Sequence, residues 1–389
     1  MSAVKDAISQ AVDRLSDELH ELSMKIHDNP ELAYQEVKAC AWLTEFLGRQ
    51  GFKVEAGVGG VETAFRATIE TGEGPNVAIL CEYDALPGIG HACGHNIIAT
   101  SGAGAGAALA AVKGQLPKGR VQVIGTPAEE GGGGKIKLIQ AGVFKDVDAA
   151  MMIHGFDRTL LHQDLLGIAR ATLEFRGKAS HASADPWEGI NALDACVQTY
   201  NAVAMLRQQV RPDCRIHGII TSGGAAANII PEYASATFYM RAPRIDTMWE
   251  LYRRVVACAE GAARAAGCEL TVTKHDSVYE PMKSSRVLLD LFKANMTAVG
   301  LSEGEPIPDR KGSSDVGNVS QALPTIQPMI GIAPVGMAIH TRDFAAAAAK
   351  PLARQGMIAA AKTMAMTTYD LLADPARVQA ARKEFADAV

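Results

Sequence analysis

Residues 91–95 contain two histidines and a cysteine, which are side chains that bind metal ions. The segment reads His91-Ala92-Cys93-Gly94-His95, and Glu129-Glu130 and then His154 follow it along the chain. Thiolate, imidazole and carboxylate groups together can hold a divalent metal ion and activate water. A Cys and a His two positions apart cannot share one helix face, so we expect them on a turn. The neighbouring glycines favour the same interpretation.

Short apolar runs alternate with helical patterns in this part of the chain. Residues 77–80, 121–124 and 149–153 are typical of buried strands, whereas 97–112 and 136–141 indicate helices. This alternation predicts an α/β domain with a mainly parallel sheet flanked by helices.

Polar groups follow three of these strands. The first strand runs into Glu82-Tyr83-Asp84, the second into Glu129-Glu130 and the third into His154. Ligands bind outside the carboxyl ends of the strands in open α/β sheets. The order of the elements therefore predicts one site at this edge.

Around Gly167 the pattern changes to the β-α-β-β-α-β order of a ferredoxin-like unit. The predicted strands and helices of this unit are strands 171–178, 215–222, 233–241 and 268–275, and helices 187–210 and 247–266. We therefore predict a discontinuous catalytic domain, residues 1–168 and 283–389, and an inserted α+β lid or dimerisation domain, residues 169–282. Further expectations are one amphipathic helix over 4–27, a strand over 325–332 and a closing helix over 345–371.

Composition argues against several classes of partner. The net charge is -5 without a long basic run, and aromatic residues make up 5%, so a nucleic-acid surface is not expected. The apolar, Gly- and Ala-rich stretch 97–112 is shorter than the about 20 apolar residues of a membrane span. The first residues lack the basic start and apolar core of a signal peptide. Seven scattered cysteines are typical of reduced thiols, and we expect a cytoplasmic protein without a membrane partner.

Several motifs occur in the order of one enzyme family. They are residues 91–95, Pro127–Gly134, His154-Gly155, Ser180–Ser183 and Asn228–Pro231. The chain resembles the dinuclear metallopeptidases that comprise aminoacylases, glutamate carboxypeptidases and dipeptidases. It is similar to their amidohydrolase branch, which contains auxin-conjugate hydrolases. The stretch from Glu82 to Gly90 further resembles aminobenzoyl-glutamate hydrolase and the β-alanyl-lysine dipeptidases.

The resemblance implies a metal site and a general base. Two divalent ions, zinc or manganese, would be held by five ligands: Cys93, His95, Glu130, His154 and His340. Glu129 would be the general base that takes a proton from water and passes it to the leaving amine. Asp84 would orient an imidazole. In the wider family a metal-binding histidine stands two residues before the Asp84 position, and this chain has Glu82 there.

The resemblance also assigns residues of the second domain. His181 would stabilise the tetrahedral oxyanion, from the opposite subunit of a dimer. Asn228 and Arg241 would hold the free carboxylate of the substrate, and the planar fork of arginine suits that task. Residues 312–315, Gly-Ser-Ser-Asp, match a family loop near the same carboxylate. We expect an exposed sheet edge containing Ala234–Arg241 to pair across a homodimer, with a paralogous second subunit as the alternative.

These features predict a metal-dependent amidohydrolase that cleaves a small N-acyl-amino acid or a dipeptide with a free carboxylate. One alternative is an aminohydrolase that removes ammonia from an aromatic or heterocyclic amine. Another is a non-catalytic protein that binds a metal or an amino acid. The glycines at 131–134 are not interpreted as a phosphate site, because the Gly-Lys-Ser/Thr ending of a P-loop is missing.

Overall fold

A computed structural model describes residues 2–308 and 310–387 of the chain. The α-helices in these ranges are α1 (Ala3–Arg14), α2 (Ser16–Asp28), α3 (Val37–Arg49), α4 (His95–Ala111), α5 (Gly134–Gln140), α6 (Ala192–Leu206), α7 (Ile245–Ala266), α8 (Arg286–Ala298), α9 (Val316–Ala322), α10 (Arg342–Ala347), α11 (Pro351–Ala373) and α12 (Pro375–Asp387). The strands are β1 (Lys53–Ala56), β2 (Phe65–Glu70), β3 (Asn76–Cys81), β4 (Arg120–Gly125), β5 (Ala149–Met151), β6 (His154–Phe156), β7 (Gly167–Arg176), β8 (Arg215–Ser222), β9 (Tyr233–Ala242), β10 (Glu269–Lys274), β11 (Thr325–Ile326) and β12 (Met329–Gly331). None of the described helices combines the length and the apolar character that a membrane span requires.

The chain forms two compact units. The first unit consists of Met1–Gln163, Met282–Lys311 and Asp315–Val389. The second unit consists of Asp164–Pro281 and Gly312–Ser314. The first unit is therefore discontinuous in sequence.

The first unit contains a six-stranded sheet with the order β1-β2-β4-β3-β5-β11. Strand β3 pairs in parallel with β4 and β5, and β5 pairs in parallel with β11. Strand β2 pairs antiparallel with both β4 and β1. The prediction of an α/β fold with a mainly parallel sheet is confirmed, and the antiparallel pair β1-β2 extends one side of it.

Helix α4 packs closely on this sheet because of its glycines. A Cβ atom on Gly102 would lie 2.5 Å from the Sγ of Cys81 on β3. A Cβ atom on Gly106 would lie 2.5 Å from a methyl group of Val123 on β4. Since β3, β4 and β5 are parallel, their carboxyl ends share one edge of the sheet. Helix α4 begins at His95, only fourteen residues after β3 ends at Cys81, and brings its first turn to that edge.

The second unit contains an antiparallel four-stranded sheet with the order β10-β7-β9-β8. Helices α6 and α7 cover one face, and their apolar side chains share a core with Phe175 and Phe238. The ferredoxin-like order of elements is confirmed. The expectation that Ala234–Arg241 forms an exposed edge is wrong, because β9 is hydrogen-bonded to β7 on one side and to β8 on the other.

Three predicted elements are divided in the structure. The helix expected over 4–27 is two helices that meet at Leu15. The strand expected over 325–332 is interrupted before Pro328, which has no N–H group to donate to a ladder. The closing helix expected over 345–371 is interrupted between α10 and α11. Helix α11 begins at Pro351, because proline is favourable in the first turn of a helix and not in its interior.

Candidate active site

The sulfur of Cys93 lies at the centre of a group of polar side chains in the first unit. Cys93 lies on the predicted turn, and His95 is the first residue of α4. The Sγ atom of Cys93 is 3.3 Å from the Nε2 atom of His154 and 3.4 Å from that of His340. Three parts of the chain that are far apart in sequence therefore meet at one thiol.

Hydrogen bonds fix the orientation of two imidazole rings. The Nδ1 atom of His95 is 2.8 Å from the backbone oxygen of Asp84 and 3.1 Å from its Oδ1 atom. The Nδ1 atom of His154 is 2.8 Å from the backbone oxygen of Gly155. Each Nδ1 therefore donates a proton, so in the neutral form of each ring the lone pair is on Nε2. Within the described ranges, the buried Nε2 atom of His95 has no hydrogen-bond partner.

Two adjacent carboxylates, Glu129 and Glu130, complete this group. Each has an oxygen 4.0 Å from the Nε2 atom of His95, and Glu130 also lies 3.6 Å from the Nε2 atom of His340. Asp84 connects the two sides, because its Oδ2 atom accepts a 2.9 Å hydrogen bond from the backbone N–H of Glu130. Asp84 thus holds both an imidazole and the backbone of the carboxylate pair.

These side chains form three overlapping groups that could hold metal ions. The groups are Cys93, His95 and His154; Cys93, Glu130 and His340; and His95, Glu129 and Glu130, with donor atoms within 4.8 Å of one another in each. Zn–S and Zn–N bonds of about 2.3 and 2.0 Å in a tetrahedral site separate sulfur from nitrogen by roughly 3.5 Å. The observed separations of 3.3 and 3.4 Å agree with this geometry. The five side chains predicted as ligands thus lie together, with Cys93 in two of the groups.

Burial in this group disfavours the charged forms of its side chains unless a positive charge lies beside them. It raises the pKa of Glu129 well above its ordinary value, and the charges of Glu82 and Glu130 raise it further. Burial also raises the pKa of the Cys93 thiol and lowers the pKa of His154 to about 4, so this imidazole is neutral, as a metal ligand must be. The donor set therefore fits divalent cations, which would stabilise the ionised thiol and carboxylates.

A buried lysine beside this group was not expected from the sequence. Lys135 is fully buried, and its Nζ atom lies 2.5 Å from Glu82 and 2.6 Å from Asp315. Burial alone would lower the pKa of Lys135, but the charges of Asp315 and Glu82 raise it above its ordinary value. One feature of the sequence could have indicated a special role for Lys135. A lysine in the first turn of a helix such as α5 is unfavourable because it opposes the helix dipole.

The backbone beside the carboxylate pair is held in an unusual conformation. Of the described non-glycine residues, Tyr34, Ala128 and His340 have positive φ angles of 61–62°, a conformation that concentrates at functional sites. The Oε1 atom of the buried Glu36 accepts hydrogen bonds from the backbone N–H groups of Tyr34 at 3.0 Å and Ala128 at 2.9 Å. The hydroxyl of Tyr34 donates to the backbone oxygen of Gly132 at 2.7 Å. The segment containing Tyr34 and Glu36 therefore fixes the loop that carries the carboxylates.

In the second unit, the structure brings His181 and Asn228 together. The backbone oxygen of Asn228 accepts a 3.0 Å hydrogen bond from the N–H of Ala182. The Nδ1 atom of the exposed His181 accepts from the backbone N–H groups of Ser183 and Ala184 at 3.3 and 3.2 Å. Nδ1 is thereby unprotonated, so the proton of the neutral imidazole is on Nε2.

Arg241 lies elsewhere in the second unit. Its guanidinium donates to the Oγ atom of Ser313 at 2.8 Å, which connects it to the predicted loop at 312–315. Asn228 precedes β9, whereas Arg241 lies near the far end of this strand. At about 3.3 Å per residue, Arg241 is roughly 26 Å from the start of β9. One copy of the chain therefore does not bring Arg241 to His181 and Asn228.

Comparison with known proteins identifies the family. A model described as peptidase family M20/M25/M40 matches residues 78–353. The chain belongs to this family. This confirms the resemblance inferred from the motifs, and the protein is a metal-dependent hydrolase of peptide bonds.

Relatives of this M20 peptidase match nearly the whole chain. It is 38% identical to the Xaa-Arg dipeptidase of Mus musculus, over 99% of this chain and 93% of the relative. It is 30% identical to one subunit of the p-aminobenzoyl-glutamate hydrolase of Escherichia coli strain K12, over 98% of this chain and 94% of the relative. A solved Bacillus subtilis structure, described as a dinuclear metal-binding peptidase from the M20 family, has a TM-score of 0.74 at 19% identity and covers 93% of this chain and 99% of its own. At that identity it shows the shared fold.

The role of Glu36 can be tested by two substitutions. Burial raises the pKa of Glu36 to about 7, so its contribution to stability is present below its ordinary pKa and is lost as the pH rises through 7. Glu36→Gln keeps an oxygen for the two N–H groups and cannot ionise. The Thr63 hydroxyl, which donates to Glu36 in the wild type, can rotate to accept a hydrogen bond from the new NH2 group. We expect the melting temperature of Glu36→Gln to increase relative to wild type between pH 5 and pH 8, as measured by differential scanning calorimetry.

The control is Glu36→Ala, which leaves two buried N–H groups without their acceptor. It should lower the free energy of unfolding by about 1–3 kcal/mol for each group at every pH. A melting temperature of Glu36→Gln that runs parallel to wild type over this pH range would contradict the assignment.

Proposed function

We propose that this peptidase cleaves the amide bond of a small N-acyl-amino acid or a dipeptide with a free carboxylate. The convergence of Cys93, His95, Glu130, His154 and His340 beside Glu129 supports this proposal most strongly. The names of the relatives, an Xaa-Arg dipeptidase and a p-aminobenzoyl-glutamate hydrolase, agree with such substrates. They do not favour the alternative of an aminohydrolase that releases ammonia.

Two overlapping groups of side chains are proposed to hold two metal ions. Cys93, His95 and His154 would bind one ion, and Cys93, Glu130 and His340 would bind the other. Divalent ions bound there would supply Lewis-acid polarisation of the scissile carbonyl and of the attacking water. Thiolate and imidazole ligands favour zinc, whereas the carboxylate also admits manganese.

Glu129 is proposed as the general base. It is buried, it lies 4.0 Å from the Nε2 atom of His95, and burial raises its pKa, which makes its carboxylate a stronger base. It would take a proton from the attacking water and pass it to the leaving amine. Asp84 would keep His95 in the tautomer whose Nε2 atom can bind a metal.

The second unit is proposed to bind the substrate. The Nε2–H group of His181 would donate to the oxyanion of the tetrahedral intermediate. Arg241 and Asn228 would bind the free carboxylate. Because Arg241 is roughly 26 Å along β9 from the start of the strand, and Asn228 lies before that start, we propose a homodimer in which the second copy supplies His181 and Asn228. A complex with a paralogous second subunit would meet the same requirement.

We also propose a cytoplasmic location. All seven cysteines lie in the described part of the chain, and each is a free thiol. Free thiols are usual in a reducing compartment.

Replacement of Glu129 by glutamine tests the proposed base. Glu129→Gln removes the proton acceptor and leaves the five proposed ligands in place, so kcat should fall by several orders of magnitude, on the order of 10²–10⁴ for general base catalysis. Metal content, measured by mass spectrometry of the purified protein, should equal that of wild type. Glu73→Gln, at an exposed loop position, should have wild-type kcat. Near-normal turnover of Glu129→Gln on an acyl-amino acid would exclude Glu129 as the base.

Replacement of Arg241 by alanine tests recognition of the carboxylate. A hydrogen bond to a charged group contributes about 1.5–3 kcal/mol, so KM should rise about 10- to 100-fold for dipeptides with a free carboxylate. The corresponding C-terminal amides should be little affected. The matched control is Arg244→Ala, which removes an exposed arginine paired with Asp246. It should leave KM unchanged for both the dipeptides and their amides. An equal loss on acids and amides would remove Arg241 from carboxylate recognition.

A further inference from the structure

Two partly buried arginines lie on the same face of the sheet in the second unit. Arg170 on β7 is directly opposite Tyr239 on β9, and Arg241 is two residues further along β9. Both arginines lie on the face away from helices α6 and α7, because the alternate residues Ala169 and Met240 belong to the core that these helices cover. Diagonal neighbours on one face of an antiparallel pair are about 7–8 Å apart, which is within reach of long side chains.

The guanidinium group of Arg170 is fixed in place without an anionic partner. Its central carbon lies 5.2 Å from the ring centroid of Tyr239 and 5.3 Å from that of Tyr279, so two cation–π contacts hold it. Its buried Nε atom has no hydrogen-bond partner, and no carboxylate within residues 2–308 and 310–387 forms an ion pair with it. The next acid along this face of β7, Glu174, is four residues away and accepts a hydrogen bond from Tyr233.

Arg241 also lacks a carboxylate partner in the part of the chain that the structure describes. Its guanidinium donates to the Nε2 atom of His217 at 3.3 Å and to the Oγ atom of Ser313 at 2.8 Å, and both of these acceptors are uncharged. Burial lowers the pKa of Arg241, and the positive charge of Arg170 lowers it further. The two guanidinium groups therefore repel each other, and an anion beside them would relieve this repulsion.

A ligand with two carboxylates on a short chain matches this pair of charges. The planar fork of an arginine binds one carboxylate bidentately. A substrate that ends in glutamate or aspartate carries two carboxylates, one on its main chain and one on its side chain. A C-terminal glutamine would leave one guanidinium without an anion, and a C-terminal arginine or lysine would add a third positive charge.

We propose that this enzyme prefers substrates whose C-terminal residue is glutamate or aspartate. Arg241 binds the main-chain carboxylate of that residue, and Arg170 binds its side-chain carboxylate. Arg170 is then the residue that determines specificity for the leaving amino acid. This inference rests on the proposed function and names the chemical class of the amino acid that is released.

Three substrates that differ only in the C-terminal residue test the preference. One acyl group, the one that the metal-loaded wild type cleaves fastest in a screen, is joined to glutamate, to glutamine or to arginine. Glutamine has nearly the size of glutamate and no charge. The value of kcat/KM should be about 10- to 100-fold higher for the glutamate substrate than for the glutamine substrate, as for a hydrogen bond to a charged group. It should be lowest for the arginine substrate.

Substitutions of Arg170 test its part in this preference. Arg170→Met removes the charge and keeps an unbranched side chain between the two tyrosine rings. It should lower kcat/KM for the glutamate substrate about 10- to 100-fold and leave the value for the glutamine substrate unchanged. Arg170→Glu should reverse the order, so that the arginine substrate is cleaved faster than the glutamate substrate.

The matched control is Arg176→Met. Arg176 lies on the same face of β7 and over a tyrosine ring, that of Tyr233, at 5.3 Å, but it is roughly 20 Å along the strand from Arg170. This variant should keep the wild-type preference. If Arg170→Met does not fold, Arg170→Lys, which keeps the charge and loses the planar fork, should lose part of the preference.

The outcomes separate this inference from the proposed function. Equal cleavage of the glutamate and glutamine substrates by wild type, or faster cleavage of the arginine substrate, would overturn the inference and leave the proposed amidohydrolase intact. A glutamate preference that the Arg170 variants retain in full would overturn the role of Arg170. A wild type that cleaves no acyl-amino acid or dipeptide would overturn the proposed function and this inference with it.

Discussion

The candidate active site depends on a cluster of buried acidic side chains beside one buried lysine, Lys135. Five carboxyl groups and one thiol lie together in the first unit: those of Glu82, Asp84, Glu129, Glu130, Asp315 and Cys93. Ionised groups are stable in such a place only when opposite charge lies beside them. Lys135 neutralises part of this charge through Glu82 and Asp315. The remaining groups lie around His95 and form a donor set that fits divalent cations, which would account for their burial.

The backbone meets the geometric demands of this group at several points. The parallel strands β3, β4 and β5 end at one edge of the sheet, and the glycines of α4 let its first turn lie close to them. Ala128 and His340 adopt left-handed φ angles, and hydrogen bonds from Ala128 to Glu36 and from His340 to Ala92 hold both residues in place. Conformational strain next to Glu129 and at His340 is thus supported by rigid neighbours.

The sequence could predict the features that depend on local order. The strand ends before Glu82 and His154 were found because parallel strands present their carboxyl ends together, and the five proposed ligands lie in short motifs. It could not predict partners that meet only in three dimensions. Glu36 is ninety-two residues from Ala128, and Lys135 follows a run of glycines that is typical of an exposed loop. The central place of β9 is decided by pairing with β7 and β8, which local alternation does not encode.

The most direct measurement is anomalous diffraction from crystals of the metal-loaded protein at the zinc and manganese absorption edges. Two anomalous peaks are predicted, both within bonding distance of the Cys93 sulfur, which is about 2.3 Å for zinc. One should lie beside His95 and His154 and the other beside Glu130 and His340. A single peak, or two peaks that do not share Cys93, would contradict the account.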